Sequence, residues 1–136
     1  MGVVSRYFER LIAILRPRRA AATEVSVDAK GLRIGAERVA WRDVRRVDAY
    51  KRDIFSGNLF CLAILAAPGG RLFEINEESP GWMEAGDAIE RYLPGALPRA
   101  EWTMRLIAAN PGEYVEIFPV GLLPLNSAAS RQGPPR

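Results

Sequence analysis

The chain changes its hydrophobic period twice. Near the N-terminus, Val4, Phe8, Leu11, Ile12 and Leu15 recur at the spacing of one helix face, with Val3, Tyr7 and Ile14 widening it. Arg6, Glu9, Arg10 and Arg16 fall on the opposite side, and Arg6 and Glu9 are close enough to pair. This pattern predicts an amphipathic helix over residues 3–16. Pro17 stops it, because the residue before a proline is pushed out of helical geometry. Arg18, Arg19 and the small residues 20–22 follow as a linker.

From Glu24 the period shortens to two. Val25 and Val27 alternate with polar neighbours, and Asp28–Gly31 makes a turn. Leu32 and Ile34 alternate again before Gly35-Ala36-Glu37, and Val39 and Trp41 form the next short strand. Asp43 marks a bend. Beyond it, Val47, Ala49 and Lys51 line one side of a strand, and Arg46, Asp48 and Tyr50 the other. Residues 58–67 are almost wholly apolar, as expected of a central strand buried on both faces. Pro68-Gly69-Gly70 closes a hairpin into a strand over 71–76.

The period then lengthens again. Ser79 as N-cap and Pro80 at the first helical position open a predicted helix over 80–93, which Pro94-Gly95 ends. Trp82, Ala85, Ala88 or Ile89 and Tyr92-Leu93 give its apolar stripe, while Met83, Glu84, Asp87, Glu90 and Arg91 face water. Trp102, Leu106 and Ala109 predict a short helix within 99–109, and Tyr114–Phe118 a last strand. Residues 126–136 read as a flexible tail. The expected organisation is a basic helix and linker at 1–22, one α+β domain at 23–125, and the tail.

Strands followed by a capping helix make an α+β plan. The carrying residues of a closer resemblance are the Val25/Val27 strand, Gly31-Leu32, and Val39-x-Trp41-x-Asp43-Val44-x-x-Val47. They continue with the Leu59–Leu65 and Leu72–Ile75 hairpin and the helix opening at Pro80-Gly81-Trp82. On these, residues 24–95 resemble bacterial proteins with a pleckstrin-homology-like (PH-like) fold. The resemblance implies an antiparallel sheet or partly open barrel capped by a helix. It implies a scaffold for lipid, peptide or protein ligands without assigning one. The family's basic phosphoinositide motif has no counterpart between the first strands, where Lys30 and Arg33 stand beside Asp28.

The 136 residues fit one domain. Composition narrows the chemistry. The chain has no histidine and a single cysteine, Cys61. A Ser-His-Asp or Cys-His arrangement cannot be built from it, nor a four-ligand zinc site of Cys and His. Neither a phosphate-binding glycine loop nor a calcium-loop spacing occurs, so no cofactor and no metal is expected. Cys61 falls in the apolar run and reads as a small inert core residue. The densest acidic group, Glu74, Glu77 and Glu78, reads as a solvated strand-to-helix turn; an enzyme using only carboxylates and arginines would have to be built there.

Charge is unevenly spread. The net charge is +3, and 17 of the 19 basic residues are arginine. Residues 1–22 carry five arginines and one glutamate, whereas residues 23–125 carry 12 basic and 15 acidic residues. A slightly acidic body argues against nucleic-acid binding. The basic run Arg42, Arg45, Arg46, Lys51, Arg52 is interleaved with Asp43, Asp48 and Asp53 and reads as a solvated, salt-laced strand. Trp41 reads as a core plug and Asp43 as the cap of the next turn.

These readings predict a non-catalytic interaction module for a protein or peptide partner. An inhibitor or immunity-type protein covering a partner enzyme is the alternative. The candidate partner or membrane contacts are Val4, Arg6, Phe8, Arg10, Leu11, Leu15, Arg16, Arg18 and Arg19. Two readings of their helix stay open. It packs on its own domain or a second copy, or it lies in the plane of an anionic membrane with its apolar face in the lipid. A predicted helix of about 20 Å is too short to span roughly 30 Å of hydrocarbon. Leu11–Leu15 is too short for a signal peptide, and Arg6 breaks the myristoylation pattern. A lone cysteine and no secretion signal predict a cytoplasmic protein, or one peripheral to the inner membrane.

Overall fold

The computed structural model describes residues 23–55 and 57–119. Strands β1 (Val25–Asp28), β2 (Gly31–Ile34) and β3 (Glu37–Ala40) form an antiparallel meander. A 3-10 turn at Trp41–Asp43 leads into the long strand β4 (Val44–Ile54). Strands β5 (Gly57–Ala66) and β6 (Arg71–Asn76) follow, then helices α1 (Trp82–Tyr92) and α2 (Arg99–Ala108), and finally β7 (Tyr114–Phe118). The second sheet is antiparallel with strand order β6-β5-β4-β7.

The architecture is therefore α+β, with two separate antiparallel sheets. The expected partly open barrel is not formed: among the described residues, no strand of the meander pairs with a strand of the second sheet. They meet through side chains, and the Val25 N–H of the meander donates to the Pro80 carbonyl in the connection after β6 at 2.9 Å.

Most predicted elements occur within a residue or two of their expected limits, with instructive departures. Trp41 leaves the third strand and enters the 3-10 turn. Its ring is buried, its indole N–H donates to the Asp28 carbonyl at 2.8 Å, and it stacks on Tyr92 with centroids 5.5 Å apart. The aspartate cap is not made. The turn has no side-chain cap, and Asp43 acts through its carbonyl, which accepts from the Ala67 N–H at 2.8 Å. Nor does Ser79 cap α1: its hydroxyl accepts from the Asn76 N–H, and the helix begins at Trp82 after Gly81. Gly81 has φ 93, and a Cβ there would lie 1.9 Å from the Val25 carbonyl oxygen. Only glycine meets both demands.

The main core lies between the two sheets and the helices. Leu32, Val39, Val47, Leu62, Ile64, Ile75, Ile89, Leu106 and Ile117 are all buried in it. Helix α1 offers Ala85, Gly86, Ala88 and Ile89, and α2 offers Trp102 and Leu106, at the spacing that puts them on one helix face. Gly86 allows the close approach of Arg99 and Trp102. Lys51 closes the end of α2, donating to the carbonyls of Ile107 and Ala109 at 3.0 and 2.7 Å, where the helix dipole favours a cation.

Candidate functional site

The positions named in the sequence as partner or membrane contacts (Val4, Arg6, Phe8, Arg10, Leu11, Leu15, Arg16, Arg18 and Arg19) lie outside the described residues, as does the predicted helix 3–16. So does the tail at 126–136. Two features of the body itself carry site chemistry.

The first is an open groove of about 640 Å³ where the 3-10 turn, the end of α1 and the end of β7 converge. Trp41, Tyr92, Leu93, Pro94, Phe118 and Pro119 give it apolar and aromatic walls. Arg42 and Arg45 supply the charge. The way Arg45 arrives there is structural. Val44 pairs with Ala66, but Arg46 pairs with Leu65, so Arg45 is an extra residue in β4. Such a bulge interrupts alternation and re-aims a side chain. It explains why Val44 and Val47, three apart, both enter the main core. Arg45 is left exposed and donates to the Arg42 carbonyl at 2.8 Å. A second register shift between Val47 and Asp48, on the β7 side, accompanies Phe118 at the groove. Arg42 and Arg45 are both exposed, and neither makes an ion pair with a described residue.

The second feature is the other face of the four-stranded sheet. Alternation sends Arg46, Asp48, Tyr50 and Arg52 of β4 to this face. With them lie Leu59, Cys61, Ala63 and Leu65 of β5, Leu72, Glu74 and Asn76 of β6, and Tyr114 and Glu116 of β7. Glu74, Ala63, Asp48 and Glu116 stand in one row across the four strands. Arg46 donates to Asp48 at 2.9 Å and reaches Glu116 at 3.7 Å. Arg52 donates to Glu74 at 2.9 Å, and the Tyr50 hydroxyl donates to the other Glu74 oxygen.

These side chains overturn two expectations. Arg46 and Asp48 are 7% and 1% exposed, so β4 is not a solvated salt-laced strand. Glu74 is 6% exposed and sits inside β6, so it is no part of a solvated acidic turn. The reason is the same for both. The neighbouring strand shows this face Leu59, Cys61, Ala63 and Leu65, an apolar row that draws a sheet face out of water. The basic run is correspondingly dispersed: Arg42 and Arg45 at the groove, Lys51 on the α2 terminus, Arg46 and Arg52 in buried pairs.

Burial pushes the Asp48 carboxyl up to about 6; Arg46 opposes this and the charge of Glu116 adds to it. The carboxylates of this face pair with arginines, and none has a histidine beside it to relay a proton. Among the described residues, no group of three or more Cys, His, Asp or Glu side chains could hold a metal. Cys61 is buried, as expected for an apolar position. No described helix is long and apolar enough to cross a membrane.

Comparison with protein-family models, with curated proteins and with solved structures gives no match, so the meaning of these two features rests on their own geometry.

Proposed function

We propose that this protein is a non-catalytic interaction module on a PH-like scaffold, and that its groove receives an extended peptide segment of a partner carrying apolar and acidic side chains. The observation that supports this most is the pairing of an aromatic and proline wall with two exposed arginines that have no described carboxylate partner. Aromatic and arginine side chains are enriched where interfaces concentrate their binding energy. Trp41 and Tyr92 are held by stacking, so little rotamer freedom is lost when a ligand docks. The bulge at Arg45 fixes a cation at the groove mouth. The element order, a meander, a long hairpin and a helix, is what supports the scaffold reading.

Display of a random-peptide library against the full chain tests the proposal. Enriched peptides should combine apolar residues with Asp or Glu. The Arg42→Glu/Arg45→Glu double variant should bind them at least tenfold more weakly, since each lost charge-assisted contact is worth about 1.5 kcal/mol or more. Equal binding by wild type and double variant, with native Trp fluorescence retained, would remove the groove from consideration.

A further inference from the structure

We propose that residues 3–16 of this same chain lie along the second face of the four-stranded sheet and form its cover. The face itself calls for one. Cys61 and Ala63 are fully buried there, and Asp48 is 1% exposed. Yet both described helices place their buried residues in the other cluster. Among the described residues, the cluster of Tyr50, Leu59, Cys61 and Ala63, with Leu65, Leu72 and Tyr114 packed against it, is made of strand residues.

Chain geometry puts the segment within reach. Residues 1–22 precede β1, and the Val25 N–H is bonded to the carbonyl of Pro80, four residues after the end of edge strand β6. The chain therefore enters the described fold at the connection between β6 and α1, which leads directly out of the edge strand of this sheet. Residues 17–23 can bridge roughly 23 Å when extended. A 14-residue helix is about 21 Å long, enough to cross four strands spaced about 4.8 Å apart.

The chemistry of the two surfaces matches. The sheet offers an apolar row at Leu59, Ala63, Leu65 and Leu72 for the stripe of Val4, Phe8, Leu11 and Leu15. Beside that row it holds three carboxylates, Asp48, Glu74 and Glu116, against two arginines, Arg46 and Arg52. The segment carries five arginines and one glutamate over residues 1–22. Asp48 Oδ1, Arg52 Nε and Asn76 Nδ2 are buried on this face without a described hydrogen-bond partner. A segment with both Arg and Glu side chains supplies donors and acceptors for them, which a lipid acyl surface does not.

Cys61 makes the test direct, because it is the only cysteine and lies at the centre of the face. In the full chain, Cys61 should react slowly with a disulfide reagent such as dithiobis-nitrobenzoate. Leu11→Asp should speed that reaction at least tenfold while far-ultraviolet circular dichroism stays native. Equal rates in the two folded proteins would overturn the proposal. So would sedimentation of the wild type with phosphatidylglycerol vesicles without change in its Cys61 rate. A second measurement covers the case of a Leu11→Asp chain that does not fold. A spin label at Ser5→Cys in a Cys61→Ala chain should broaden the amide signals of Leu65 and Leu72 within the same molecule. Broadening seen only between mixed labelled and unlabelled copies would assign the cover to a second copy and overturn it.

Discussion

The two faces of the four-stranded sheet are made from the same four strands and obey different physics. One face presents Val47, Ala49, Leu62, Ile64, Ile75, Val115 and Ile117 to two helices and the meander. Its stability follows from apolar area removed from water. The other face buries Arg46, Asp48 and Glu74 among small apolar side chains, with Arg52 and Glu116 partly buried beside them. There the outcome depends on pairing, since a buried charge is costly once its partner is gone. A dry face tolerates trimming in proportion to the atoms lost. A charged face tolerates removal of a whole network better than removal of one member.

That contrast is broken most forcefully at Glu74. Glu74→Ala leaves Arg52 buried with its carboxylate gone and the Tyr50 hydroxyl without this acceptor. It should cost about 3–5 kcal/mol in urea denaturation. The joint variant Tyr50→Phe/Arg52→Met/Glu74→Leu should recover most of that loss. If the joint variant is as unstable as the single one, pairing does not govern this face. On the dry face, Ile89→Ala in α1 should cost about 3 kcal/mol through lost transfer energy and the cavity left behind, with no dependence on salt.

Asp48 sharpens the comparison through pH. Its carboxyl is raised to about 6 against 3.8 in the unfolded chain, so the native state holds this proton more tightly. Between about pH 4 and 6 the native chain binds more protons than the unfolded one, and stability falls as pH rises. The stabilisation is fully present below about pH 4 and lost above about 6, on the order of 2–3 kcal/mol. Asp48→Asn lacks this slope, so it should gain on wild type as pH rises from 4 to 7. The groups facing Asp48 are Arg46 and Glu116, with Glu74 across Ala63. A carboxyl carbon signal that titrates near 4 would contradict the assignment. The smallest effect is expected at the exposed Arg105–Glu101 pair on α2, where Arg105→Ala should change stability by about 0.5 kcal/mol or less.

The order of elements was legible because periodicity reports which side of a strand or helix meets apolar neighbours. The run at 58–67 and the stripe of Ala85, Ala88 and Ile89 carry that signal without help from distant residues. Trp41, Asp43 and Ser79 carried a weaker one. Each sits at a junction where a bond other than the expected one decides: Trp41 to the distant Asp28 carbonyl, Asp43 through its carbonyl to the Ala67 amide, and Ser79 to the nearby Asn76 amide. The second face was hidden for a different reason. Arg46, Asp48, Tyr50 and Arg52 look solvated when their strand is read alone. Only the register with Cys61, Ala63 and Leu65 shows that they share an apolar surface. The groove was equally hidden, because 77 positions separate Trp41 from Phe118 in sequence and the bulge at Arg45 leaves no compositional mark.

The division into two sheets that share no strand pairing among the described residues bears on how the molecule comes apart. The meander has three strands of four residues each, while β4 and β5 pair along ten residues. Thermal agitation can therefore peel the small sheet away while the long hairpin still holds. Solvent deuterium should enter the amides of Leu32 and Val39 well before those of Leu62 and Ile64, although all four side chains are equally dry.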